Sequence, residues 1–112
     1  MMNAFLAIGR IGKDAQLTRT KNGAMLTFSI AVDRPRKGAQ TDWIPCQVFG
    51  ERAETLAPHM TKGVLIGVTG RIETWKRTLP DNATDITSWA VNVQDVNFLR
   101  SPRDIPESAL MS

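Results

Sequence analysis

The 112-residue sequence predicts an all-β domain, a five-stranded barrel of Greek-key connectivity with one short helix between its third and fourth strands. Three observations carry this. Apolar residues alternate with polar ones at period two in several separated stretches, as strands with one buried face require. Helical spacing occurs once, in the middle of the chain. The length suits a single hydrophobic core without disulfides or a structural metal, and it predicts one folded domain over residues 1–100 followed by a short flexible tail, 101–112.

The first strand lies in "NAFLAIGRIG", whose two glycines mark a bend or a close approach of another backbone. The polar stretch "KDAQLTRTKNG" follows, with Asn22-Gly23 as a hairpin turn signal, since both residues tolerate positive φ. In "MLTFSIAV", Leu26, Phe28, Ile30 and Val32 form one face, and Thr27, Ser29 and Ala31 the other. The loop "DRPRKGAQT" leads to "TDWIPCQVFG", a third strand with Ile44, Cys46 and Val48 on one face and Trp43, Gln47 and Phe49 on the other. Pro45, between the two aromatics, lacks a ladder donor and predicts a bulge or an unpaired edge.

Ala53, Leu56, Ala57 and Met60 then recur at helical spacing, with Pro58 shortening the helix and Lys62-Gly63 ending it. "VLIGVTGRIETWKR" returns to period two, with Ile66, Val68 and Ile72 opposite Arg71, Trp75 and Arg77. A loop tipped by Pro80, Asp81 and Asn82 precedes the last strand, "SWAVNVQDVNFL". There Val91 and Val93 share a parity that Val96 and Phe98 abandon, which predicts a bulge. The final "RSPRDIPESALMS" has two prolines and no apolar periodicity. This order is that of the OB-fold, a partly open Greek-key barrel whose face and loops bind oligonucleotides or oligosaccharides. An open α+β sheet satisfies the same periodicity.

Composition narrows the function. No apolar run is long enough to span a bilayer and no secretory or lipidation signal is present, so the expectation is a cytoplasmic, nucleoid-associated protein with no membrane partner. Cys46 is alone and has apolar neighbours on its face, the setting of a small buried hydrophobe. His59 is the only histidine, which leaves no zinc spacing and no nucleophile–base pair, and "GRIG" is not a phosphate loop. An enzyme is therefore not expected, and neither a metal nor a cofactor.

What remains is the pairing of aromatics with cations. Single-stranded nucleic acid exposes base faces and phosphates, so a sequence-tolerant binder needs flat side chains with cations between them. Trp43 and Phe49 on one strand, and Arg71, Trp75 and Arg77 on the outward face of the next, provide both. The net charge is only +3, so placement matters more than its size. Lys76 lies within the second cluster, Arg34, Arg36 and Lys37 form another in the loop, and Arg10 adds a cation in the first strand. Trp89 either extends this platform or anchors the last hairpin.

The stretches "NAFLAIGRIGKD", "TKNGAMLTFSIAV", "TDWIPCQVFGERAETLAPHMTKG", "VTGRIETWKR" and "VNVQDVNFL", spread over about residues 3–99, resemble the bacterial-type single-stranded DNA-binding proteins. The resemblance implies stacking roles for Trp43 and Phe49. It also implies that Trp75 and Arg77 exchange the positions at which the family often has a basic residue followed by an aromatic. An aromatic that some members carry after the second strand is replaced by Arg34, Pro35 and Arg36, and Glu51 stands where some members have a cation, with Arg52 next to it. It implies a homo-oligomer, with a tetramer favoured and a dimer as the alternative. The ending "RDIPESALMS" resembles short members lacking the acidic tail, for which little or no tail-mediated recruitment of replication proteins is expected. A second reading is an adapter similar to primosomal replication protein N, in which the aromatics meet a protein partner.

Overall fold

The computed structural model describes residues 1–36, 38, 40–80 and 84–100, the last without its side chain. Lys37, the loop tip at Asp81 and Asn82, and the tail therefore lie outside the described residues. Six strands form: β1 (Phe5–Ile11), β2 (Gln16–Thr20), β3 (Gly23–Asp33), β4 (Thr41–Phe49), β5 (Leu65–Thr78) and β6 (Asp85–Arg100). Helix α1 (Glu51–Leu56) and a 3-10 turn (Ala57–His59) connect β4 to β5.

The sheet runs β1-β5-β6-β4-β3 and closes on itself where β1 pairs with β3, at Arg10–Ala31 and Ile11–Ile30. Five strands thus make the barrel, and the architecture is the expected OB-fold. β2 pairs only with β3, outside the ring, and all five of its residues are exposed. Its polar sequence carries no buried alternation because neither face meets the core. The hairpin turn between them is Lys21–Asn22, one residue ahead of the predicted pair, and Gly23 opens β3 with φ 121°.

The core is built by the residues that alternation marks. Leu26 and Ile30 from β3, Val48 from β4, Ile66 and Val68 from β5 and Val91 from β6 are at most 1% exposed. Burying each such side chain contributes about 1.5–3 kcal/mol. Ala53 and Met60, both fully buried, place the helical segment over one end of the barrel. The loop after β1 is tied to that segment by the Ala15 N–H on the Met60 carbonyl at 2.9 Å and the Lys62 N–H on Asp14 Oδ1 at 2.8 Å.

The parity break in the last strand is a real bulge. Thr69 faces Asp95 while Gly70 faces Val93, so Gln94 is the extra residue. The crossing is tight: a Cβ on Gly70 would sit 2.2 Å from the Asn92 carbonyl oxygen. Two expectations need correction here. β6 begins at Asp85 rather than at Ser88, and Ile72, placed by parity with Ile66 and Val68, is 38% exposed. The reason is that β1 stops pairing with β5 at Phe5–Gly70. Beyond that point β6 is the one strand paired with β5 among the described residues, and the two leave the barrel as an arm.

Candidate nucleic-acid interface

The outward face is laid out by strand register. Along β4, Trp43, Pro45, Gln47 and Phe49 point away from the core, whereas Ile44, Cys46 and Val48 point toward it. Opposite them on β3 stand the small or flexible residues Ala31, Ser29, Thr27 and Met25. On the other side, Gln47 is level with Asn92 of β6, which is level with Arg71 of β5. Thr27, Gln47, Asn92 and Arg71 therefore form a polar row across four strands.

Pro45 does not bulge the strand, because the β3–β4 register is continuous through Ser29–Pro45. The Ser29 carbonyl is occupied by the Gly12 N–H at 3.0 Å, so Ser29 turns its backbone groups away from β4. Ser29–Pro45 is thus a non-hydrogen-bonded pair of the antiparallel ladder, where a missing N–H costs no bond to β3. The proline nitrogen faces the β6 side instead, where pairing starts only at Cys46–Val91.

The three tryptophans converge. A groove of about 450 Å³ is bordered by Trp43, Trp75 and Trp89, with Ser29, Pro45 and Gln47 among its other walls. Their exposures are 59%, 42% and 41%, so each ring offers a face while its remainder is packed. Trp43 lies against Gly12, where a Cβ would come within 2.3 Å of the indole. Trp75 is level with Ser88, and Trp89 with Thr74, so the two rings leave opposite faces of the arm and border the groove from different sides. Trp89 thereby lies at the groove.

The other candidates separate. Phe49 is half-exposed and shares the face of Trp43, but it lies further along β4 and does not border the groove. Arg71 and Arg77 share the face of Trp75, and Lys76 lies on the opposite face of the arm. Half-buried Glu73 stands between Arg71 and Trp75 on that same face, 4.0 Å from the Arg71 guanidinium. Arg34 forks onto Asp42 at 2.9 and 3.1 Å. This hydrogen bond holds the Asp42 carboxyl below, and the Arg34 guanidinium above, their ordinary values. Arg36 is exposed in the same loop. Arg10 donates to the Gly63 carbonyl at 2.8 Å on the closing side of the barrel, so the structure does not bring it to the groove.

Sequence reasoning missed Gly12 and Lys13, which reach the groove from the β1–β2 loop. Only the tertiary closure of β1 onto β3 puts that loop beside Trp43, and no period in the sequence encodes it. Below the face, Cys46 is 2% exposed, and burial pushes its thiol up to about 12.

The geometry offers flat apolar faces around a concavity, hydrogen-bonding groups on its floor and cations at its margin. Among the described residues no helix is long and apolar enough to cross a membrane. The profile of the single-strand binding protein family matches residues 2–99. The chain is similar to single-stranded DNA-binding protein 2 of Clostridium acetobutylicum, at 38% identity over 92% of this chain and 80% of that protein. It is also similar to single-stranded DNA-binding protein 3 of Streptococcus agalactiae, at 43% identity over 66% of this chain, and it spans only 57% of that relative's length. Among solved structures, the mitochondrial single-stranded DNA binding protein Rim1 of S. cerevisiae superposes with a TM-score of 0.72 at 27% identity, over 90% of this chain and 99% of that one. A Plasmodium falciparum SSB solved in complex with ssDNA shares the fold, with a TM-score of 0.74 at 24% identity over 88% and 96% of the two chains.

Proposed function

Because this chain belongs to the single-strand binding protein family, we propose that it binds single-stranded DNA with little sequence preference and acts without catalysis. Its place is then in the cytoplasm, on strands exposed during replication, recombination or repair. The observation that carries this is the convergence of Trp43, Trp75 and Trp89 on one groove. Bases stack on these rings, and Phe49 extends the track along β4. Each stacked base is worth about 1–3 kcal/mol by alanine substitution, independent of its identity because every base has a π-face. Arg71, Arg77 and Lys13 take phosphates at the margin, with Lys76 reaching from the far face of the arm. Arg34, held by Asp42, contributes less, and Arg36, exposed in the same loop, adds a further cation. The polar row through Gln47 and Asn92 meets base edges. The names of the relatives support this over an adapter role.

The same reading includes self-association, with a tetramer favoured over a dimer. On the outward face of β1, Leu6 and Ile8 are 75% and 58% exposed, and Ile8 lies 3.6 Å from where a Gly67 side chain would begin. Two large aliphatic side chains over a glycine form an apolar patch that a second copy would cover. A solution mass above that of one chain is expected.

All three tryptophans of the chain border the groove, so intrinsic fluorescence reports on it directly. Titration with oligo(dT) at low salt should quench the emission, less in Trp43→Ala and Trp75→Ala than in the parent protein. Affinity should fall with salt at a log–log slope of about −0.7 per phosphate contact. Unchanged fluorescence at low salt would overturn the proposal.

A further inference from the structure

The arm that carries Trp75 is poorly supported by the ladders. β1 pairs with β5 only as far as Phe5–Gly70, and β4 reaches β6 only at Val91 and Asn92. A two-stranded ribbon with no further partner is marginally stable in water, so something must hold its direction.

Two residues before Phe5, in register with the next outward step of β5, stands Asn3. Its side-chain amide donates to the Ile72 carbonyl at 2.7 Å, and its Oδ1 accepts the Ile72 N–H at 2.9 Å. The side chain thus occupies both backbone groups of one β5 residue, as a neighbouring strand would. Ile72 is the second residue past the tight Gly70 crossing, the point at which the arm departs. Trp75 is three residues further on.

We propose that Asn3 is a positioning residue for nucleic-acid binding: its amide extends the β1–β5 ladder by one rung and sets the direction of the arm, and through it the placement of Trp75 in the groove. The inference rests on the single-stranded DNA reading for its functional half. Its structural half stands alone. An amide is required because the rung needs one acceptor and one donor on the same planar group. Asn3→Asp keeps only the acceptor, and Asn3→Ala keeps neither.

The test combines amide hydrogen exchange with oligo(dT) affinity. Asn3→Ala should speed exchange at the Ile72 amide about tenfold, as expected for a lost hydrogen bond near 1.4 kcal/mol, and leave Ile66 and Val68 unchanged. Asn3→Asp should fall between the parent and Asn3→Ala. Oligo(dT) affinity should weaken about fivefold in Asn3→Ala, yet less than twofold when Asn3→Ala is added to Trp75→Ala, because a residue acting through Trp75 couples to it. Equal losses in both backgrounds would reduce Asn3 to general support and overturn the positioning role. Unchanged exchange at Ile72 would overturn the rung itself. If the parent protein fails to bind oligo(dT), the single-stranded DNA reading falls, and the inference is judged by exchange at Ile72 and by the emission of Trp75 in a Trp43→Phe, Trp89→Phe background, which an intact strut leaves different from that of Asn3→Ala.

Discussion

The pairing of β5 with β6 runs from barrel to arm through the bulge at Gln94, yet its two halves differ in solvent exposure. On the barrel side of Gly70, Ile66 and Val68 are fully buried. On the arm side, Arg71 to Thr78 are exposed except half-buried Glu73. Both halves alternate with period two and both are antiparallel. The difference lies in what covers them: β1 and the core on one side, and on the other β6 with little more than the Asn3 side chain and the end of the β4 pairing at its base. Alternation therefore reports a strand, and a third element decides whether the apolar side is buried. Trp75 and Trp89 sit where that cover is missing and are 42% and 41% exposed.

The largest expected effect breaks the barrel half. Ile66→Ala removes a fully buried side chain and should cost about 2–5 kcal/mol in denaturant unfolding. The corresponding change in the arm, Ile72→Ala, should cost well under half as much; equal costs would mean the arm packs like the core.

Next comes Trp75→Ala, which should lower oligo(dT) affinity by about 1–3 kcal/mol and scarcely alter unfolding. The third effect concerns Cys46, beneath the groove. Its folded pKa is raised to about 12 by burial, whereas an unfolded thiol titrates near 8.5. Its contribution is thus complete below about pH 8.5 and is lost as pH rises toward 12, by at most about 1.4 kcal/mol per unit. Chemical unfolding across pH 8 to 10 should show this decline, and Cys46→Ala should abolish it. The smallest effect is Arg34→Gln. Its exposed pair with Asp42 should leave the melting temperature unchanged and weaken binding only slightly, because the charge is already engaged.

How much was legible in the sequence follows from the same contrast. Leu26, Phe28, Ile30, Cys46 and Val48 were readable because over these residues each strand keeps one face in the core. The Gln94 bulge was readable because a parity break among valines has few other causes. Ile72 misled because parity does not record where β1 ends. β2 showed only through its turn signal, because its residues are exposed throughout and carry no buried alternation. At the site, Trp43 and Trp75 were legible as aromatics facing away from an apolar side. The engagement of Arg10 by Gly63 and the arrival of Lys13 beside the groove depend on contacts between distant segments, which one sequence read locally does not reveal.

Labour is divided within one strand pair: stability lies in the barrel half, and the proposed binding draws on Trp75 in the arm half. The most direct measurement is a melting curve and an oligo(dT) isotherm on the same preparation of Trp75→Ala. The division predicts a melting temperature within about 2 °C of the parent, a shift that corresponds to well under 1 kcal/mol, together with an affinity loss of fivefold or more. A melting temperature lowered by many degrees with undiminished affinity would contradict it.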